Sequence, residues 1–128
     1  MKSNPDSSVT DELMDKFANA WNAQDVEAIL GCMTDDCVYD SGTGPEVWGR
    51  RYTGYKEIGQ AVADFFKAYP DARFEDSTHF ICGDRGVSEW TLTATKPDGS
   101  RVRSNGCDLF TFREGKIAVK NSYRKQFA

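Results

Sequence analysis

Cys107-Asp108-Leu109-Phe110-Thr111-Phe112-Arg113-Glu114-Gly115-Lys116-Ile117 reads as one strand, a tight turn and the start of a second strand. Alternation with a period of two predicts that Asp108, Phe110 and Phe112 share one face. Arg113 to Lys116 is short, charged and carries a glycine, so the strands on either side are predicted to be antiparallel neighbours.

The same pattern extends towards both ends. Residues 73–82, 87–95, 102–112 and 117–127 are β-rich runs, separated by Gly83-Asp84-Arg85-Gly86, by Pro97-Asp98-Gly99-Ser100 and by the turn above. Before Pro70 the period is helical. Thr10 is a candidate N-cap, Asp11 and Glu12 follow in a first turn, and Leu13, Met14, Phe17, Ala20 and Trp21 form one apolar face. Asn22-Ala23-Gln24 breaks that helix, and Asp25 caps a shorter one carrying Val26, Ile29, Leu30 and Met33. Thr34-Asp35-Asp36 predicts a turn and residues 37–40 a short strand. Residues 41–54, with four glycines and a proline, predict an irregular loop. A third helix carries Ile58, Ala61, Val62, Phe65, Phe66 and Tyr69 and is stopped by Pro70. Helices followed by a run of strands predict a single α+β domain over residues 10–128, behind a flexible tail at residues 1–9, with a strongly bent sheet wrapping the helices.

Composition narrows the function. A chain of 128 residues with 39% hydrophobic and 28% charged side chains is an ordinary globular domain. The formal charge of −4 and the absence of a Lys/Arg stripe argue against nucleic acid. No apolar run approaches the ~20 residues of a membrane helix. The opening Met1-Lys2-Ser3-Asn4-Pro5-Asp6-Ser7-Ser8 lacks the apolar centre of a secretory signal, which predicts a cytoplasmic protein. Cys32, Cys37, Cys82 and Cys107 are spread without a C-x-x-C pair and His79 is the lone histidine, which is poor spacing for a metal. Buried thiols in a reducing compartment are the expectation.

Several segments carry a family resemblance. These are Phe17-Ala18-Asn19-Ala20-Trp21-Asn22-Ala23-Gln24-Asp25, Thr34-Asp35-Asp36-Cys37-Val38-Tyr39-Asp40, Gly49-Arg50-Arg51-Tyr52-Thr53-Gly54 and the Cys107–Ile117 stretch. In this order they resemble the nuclear transport factor 2-like superfamily, in particular its SnoaL-like and ketosteroid isomerase-like members. The resemblance implies a cone-shaped, mixed or antiparallel sheet of cystatin-like type. It also implies an apolar pocket between sheet and helices, no cofactor or metal, a small apolar organic molecule as ligand, and a homodimer.

The resemblance also distributes roles. Asp40, in a Val-Tyr-Asp context, is similar to the general base of the isomerases, and Asp108 stands where those enzymes keep a neutral acid as oxyanion donor. With no cation evident beside Asp108 in the sequence, the neutral form would donate to a carbonyl while Asp40 moves the proton. Phe17, Trp21, Tyr39, Trp48, Tyr52, Phe65, Trp90 and Phe110 are the expected substrate-binding side chains, Trp48 as a lid from the glycine-rich segment. Three departures stand out. Phe17 occupies the place of the isomerases' second donor, a tyrosine. Trp90 and Leu92 stand where the epoxide hydrolase branch has Arg and Asp. Lys120-Asn121-Ser122-Tyr123 stands where SnoaL cyclases have an acid on the last strand. An acid/base enzyme acting on an enolisable carbonyl, a non-catalytic ligand-binding module and an interaction protein all stay open.

Overall fold

The computed structural model describes residues 11–126. The expected tail over residues 1–9, the cap at Thr10 and the strand end at Phe127 lie outside the described residues. Helix α1 (Asp11–Asn22) buries Met14, Phe17, Ala20 and Trp21 along one stripe, with Asp11 and Glu12 where the helix dipole favours negative charge. Helix α2 (Val26–Gly31) is capped by Asp25, whose carboxylate accepts a 3.1 Å hydrogen bond from the Ala28 N–H. Helix α3 (Gly54–Ala68) buries Ile58, Val62 and Phe66.

Six strands follow or interleave: β1 (Met33–Glu46), β2 (Gly49–Thr53), β3 (Arg73–Cys82), β4 (Arg85–Thr95), β5 (Arg101–Arg113) and β6 (Lys116–Arg124). They form one curved, unclosed sheet in the order β2-β1-β6-β5-β4-β3. Every neighbouring pair is antiparallel except β1 with β6, which is parallel. The expected four-strand meander is therefore present, and a hairpin made of β1 and β2 docks on its last strand. The core lies between the concave face and the helices, where Met14, Phe17, Ile29, Ile58, Phe110 and Ile117 pack together.

The hairpin corrects two expectations. Thr34-Asp35-Asp36 lies inside β1 and is not a turn, and residues 41–54 are not an irregular loop: β1 runs on to Glu46 and returns as β2. The glycines are used for close approach. A β-carbon on Gly44 would stand 2.3 Å from the backbone of Gly49, and Gly49 itself has φ +84°.

Two bulges set which side chains face inward. On β3, Asp76 and Ser77 together oppose Trp90, and Asp76 has φ +57°. The extra residue reverses the alternation, turning His79 inward and leaving Phe80 63% exposed. On β6, Ala118 has no partner on β5, so the register advances by one between Phe112 and Thr111. Phe110 then lies opposite Lys120, and Asp108 opposite Ser122. Were the tight-turn register continued without the bulge, Lys120 would point to the other face of the sheet.

Outside the core, Asp71 ties the α3–β3 connection to the end of β4. Its carboxylate accepts from the Thr95 N–H at 2.9 Å, the Thr95 hydroxyl at 2.7 Å and Arg101 at 2.8 Å. The Thr95 hydroxyl, then its N–H and then Arg101 hold this carboxyl below its ordinary 3.8. A group held lower in the folded chain than in the unfolded one stabilises the fold above the unfolded value, and that contribution disappears as pH falls through the folded value. Urea unfolding at a series of pH values from neutral to strongly acidic is expected to show a smaller acid loss for Asp71→Asn than for the unsubstituted chain. Identical curves would show that the carboxyl titrates alike in both states.

Candidate functional site

The bulge at Ala118 places a lysine inside the cone. Lys120 is 6% exposed. Its ammonium Nζ lies 3.2 Å from Asp108 Oδ1 and donates at 2.8 Å to Ser122 Oγ. It also sits 4.4 Å from the ring centroid of Tyr39 and 4.8 Å from that of Trp21, the geometry of a desolvated cation–π contact. Asp108, also 6% exposed, receives the Trp90 Nε1–H at 2.9 Å on Oδ2 and the Ser122 hydroxyl on Oδ1. The expectation that no cation stands beside Asp108 is thereby corrected. Two N–H donors, one charged, and a hydroxyl surround it, which is the setting of an acceptor-only carboxylate, not of a neutral acid free to donate.

Trp90 reaches Asp108 because Gly106 lies opposite it on β5. A β-carbon there would come within 2.4 Å of the indole ring.

A cleft of ≈ 410 Å³ opens above the lysine. Trp21, Tyr39, Tyr52, Phe65 and Trp90 are in its wall, together with Tyr69, Phe74 and Leu92, and Lys120 and Ser122 form its polar floor. Tyr39 and Tyr52 stack at 5.8 Å as cross-strand partners. Among the described residues lining this cleft the sole carboxylate is Asp64. The volume suits a small organic ligand.

The remaining expected residues lie elsewhere. Phe17 and Phe110 meet edge to face at 5.8 Å, and Phe110 stacks on Phe112, so this end of the cone is packed core. A cavity of ≈ 30 Å³ lies beside them. Trp48 stands in the β1–β2 turn, 45% exposed, with the Arg51 guanidinium 5.2 Å from its ring centroid. It lines a groove together with Glu89, Cys107, Asn121 and Tyr123 and does not close the cleft. Asp40 is held by Arg51 in a two-pronged pair, Nε to Oδ1 at 2.8 Å and Nη2 to Oδ2 at 2.9 Å. The Asp40 hydrogen bonds in turn raise the guanidinium above its ordinary value.

Register decides what Asp40 can reach. It pairs with Asn121, whereas Asp108 pairs with Ser122. Adjacent residues of β6 point to opposite faces, so the two carboxylates lie on opposite sides of the sheet, and the expected convergence on one cavity does not occur. Sequence reasoning missed Lys120 and Ser122 as site residues, although both belong to the segment that departs from the cyclase pattern. A lysine amid apolar β-branched and aromatic neighbours was the available signal.

His79 is drawn in beside this site. Its side chain is 8% exposed, with Nδ1 2.7 Å from Ser88 Oγ and Nε2 3.2 Å from Asp15 Oδ1. All four cysteines are free. Burial pushes the thiols of Cys32, Cys37 and Cys107 up, so they stay protonated, while Cys82, expected to be buried, is exposed.

The sequence matches the model of the SnoaL-like domain over residues 14–120. The chain belongs to the SnoaL-like domain family. This places it in the nuclear transport factor 2-like superfamily. Three solved structures illustrate the relationship. A candidate polyketide cyclase from Pseudomonas putida KT2440 is 22% identical, with 88% of each chain covered and a TM-score of 0.78. TerC, co-crystallised with polyporic acid, is 22% identical, with 89% of each chain covered and a TM-score of 0.77. A protein of ketosteroid isomerase-like fold from Catenulispora acidiphila, in complex with trimethylamine, is 17% identical over 90% of this chain and 86% of the other, with a TM-score of 0.78. At such identities the likeness is one of fold. No curated protein matches the sequence. No helix among the described residues is long and apolar enough to cross a membrane.

The Asp108–Lys120 pair gives this SnoaL-like domain a sharp energetic signature. Breaking a buried pair leaves one charge without its counter-ion, whereas replacing both partners does not. Asp108→Asn is expected to destabilise the chain by about 3–5 kcal/mol, and adding Lys120→Met to restore most of that loss. Urea unfolding of the two single variants and the double variant measures the coupling, and strictly additive losses would show that the two groups do not interact.

Proposed function

We propose that this SnoaL-like chain binds a small, largely apolar organic molecule through a carbonyl or enol oxygen and carries out acid/base chemistry on it without a cofactor, in the manner of an isomerase, cyclase or dehydratase. The observation that carries the reading is the buried Lys120 ammonium at the floor of an aromatic-walled cleft. One N–H of the ammonium is donated to Ser122 and Asp108 stands beside it as counter-ion at 3.2 Å, which leaves donor capacity for a guest. A carbonyl oxygen accepting that donor is polarised, and its α-hydrogen becomes more acidic. When a solvent base takes that proton, the negative charge develops on an oxygen already facing a fixed cation, where low dielectric strengthens the interaction. Asp108 acts by holding the ammonium in place, and Trp90 and Ser122 hold Asp108.

The aromatic walls fit a flat, conjugated guest. The relatives described above include one named as a polyketide cyclase and one crystallised with polyporic acid, which runs in the same direction.

A specific observation also favours a non-catalytic binding module. Asp40, the carboxylate expected to move the proton, lies on the other face of the sheet from Asp108. Exchange of the α-hydrogens of 1-tetralone in deuterated water, followed by proton NMR, separates the two. The enzyme reading expects acceleration by the unsubstituted chain and a loss of about a hundredfold in Lys120→Met, the scale of removing one oxyanion donor. Binding, read from tryptophan fluorescence, is expected to weaken about tenfold in the same variant. Binding without exchange would select the binding module, and equal binding by both chains would remove Lys120 from the site.

A further inference from the structure

The strand that supplies Lys120 and Ser122 carries a second cation two places further on. Ser122 points into the cone, since its hydroxyl meets Asp108, and alternation along β6 turns Arg124 to the same face. Lys120, Ser122 and Arg124 all line the cleft, and Arg124 also lines the groove beside Trp48, so it stands at the rim where the two openings meet. At about 3.3 Å of rise per residue, the α-carbons of Lys120 and Arg124 are about 13 Å apart. The cleft thus has one cation at its floor and another at its mouth.

The two cations differ in what offsets them. Lys120 has Asp108 at 3.2 Å. Arg124 is half-buried, and among the described residues its guanidinium has no carboxylate within 4.0 Å and no hydrogen-bond acceptor, whereas Arg51, Arg101, Arg103 and Arg113 each face a carboxylate. The cause is local. Its cross-strand partner on β5 is Gly106, and on the β1 side Gly42 lies so close that a β-carbon there would stand 3.9 Å from the Arg124 backbone nitrogen. Neither neighbour has a side chain with which to cover or pair the guanidinium. Asp64 on α3, the sole carboxylate among the described residues of the cleft, is exposed and accepts from Gln60 at 2.9 Å, so water screens its charge. The hydroxyls of Tyr39, Tyr52 and Tyr69 in the same wall hydrogen-bond to no described residue, whereas Tyr55 donates to Met33 O and Tyr123 accepts from Asn121.

We infer that the guest is an anion: a flat ketone bearing a carboxylate at the end away from its carbonyl, with the ketone oxygen on Lys120 and the carboxylate on Arg124 at the mouth. The inference rests on the functional reading above for the place of the ketone and adds the second group. A guanidinium takes a carboxylate through two parallel N–H donors, and partial burial strengthens such a pair relative to one in open water. The unengaged tyrosine hydroxyls offer further donors to oxygens along the guest. Held at both ends, the guest has one orientation, which aromatic walls alone do not impose. Arg124 is then a specificity-determining residue that selects acids over neutral ketones and touches no reacting atom.

Calorimetric titration of the full chain at low salt with 1-tetralone-6-carboxylate and with its methyl ester tests the assignment. The unsubstituted chain is expected to bind the acid about tenfold more tightly than the ester, the scale of one charge-assisted contact, and the margin to shrink as salt is raised. Arg124→Gln is expected to bring the acid down to the affinity of the ester while leaving the ester unchanged, and Arg124→Lys to keep part of the margin. Equal affinities for acid and ester in the unsubstituted chain overturn the inference and need no variant to fold. A margin that survives Arg124→Gln and disappears in Lys120→Met would put the carboxylate on the ammonium and overturn it equally. The reading of the floor fails separately: an ester affinity indifferent to Lys120→Met would remove Lys120 from the site, whereas a margin lost only in Arg124→Gln would still assign the mouth to an anion.

Discussion

An ammonium and a carboxylate, each 6% exposed, face one another across two strands, and the rest of the site is arranged around that contact. Neither charge is tolerable alone in such a place, since removing an ion from water costs several kcal/mol even after relaxation. The pair is tolerable because its remaining valences are used. Trp90 and Ser122 donate to Asp108, Ser122 accepts from Lys120, and the rings of Tyr39 and Trp21 face the cation. Each of these partners comes from a different element, so the pair joins α1, β1, β4, β5 and β6 at one point. A cone of apolar side chains could close without it; the aromatic-walled cleft takes its polar floor from this pair and Ser122.

Much of the architecture was legible in the sequence. The helical stripe ending at Trp21, the change of period after Pro70 and the three short turns correspond to α1, to the start of β3 and to the connections of the meander. Those signals are local, and each agreed with the others. The glycine-rich segment misled because glycine marks both loops and hairpins that fold back tightly. In β1–β2 it allows Gly44 and Gly49 to touch, which no single-residue preference announces.

The site was less legible, for a geometric reason. Whether a strand residue faces the cone depends on register, and a single bulge reverses it. Ala118 brings Lys120 to the face of Asp108, and the Asp76–Ser77 bulge brings His79 in and sends Phe80 out. The aromatic wall was recoverable from residue type, since large rings after a helical stripe or within a β-run tend inward: Trp21, Tyr39, Tyr52, Phe65 and Trp90 all reach the cleft. Asp40 was assigned its role by kinship, and its strand presents it to Arg51 on the far face. Relatives can share the fold while the inward set of charges differs, which is why membership of the SnoaL-like family does not by itself carry an activity.

A crystal structure of the chain grown with 1-tetralone probes the polar floor most directly. The expected result places the ring system between Tyr39, Tyr52, Phe65 and Trp90, with its carbonyl oxygen about 3 Å from Lys120 Nζ. A ketone seated in the groove beside Trp48, or lying in the cleft with its oxygen turned away from the ammonium, would contradict the assignment of Lys120 as the group that receives the guest.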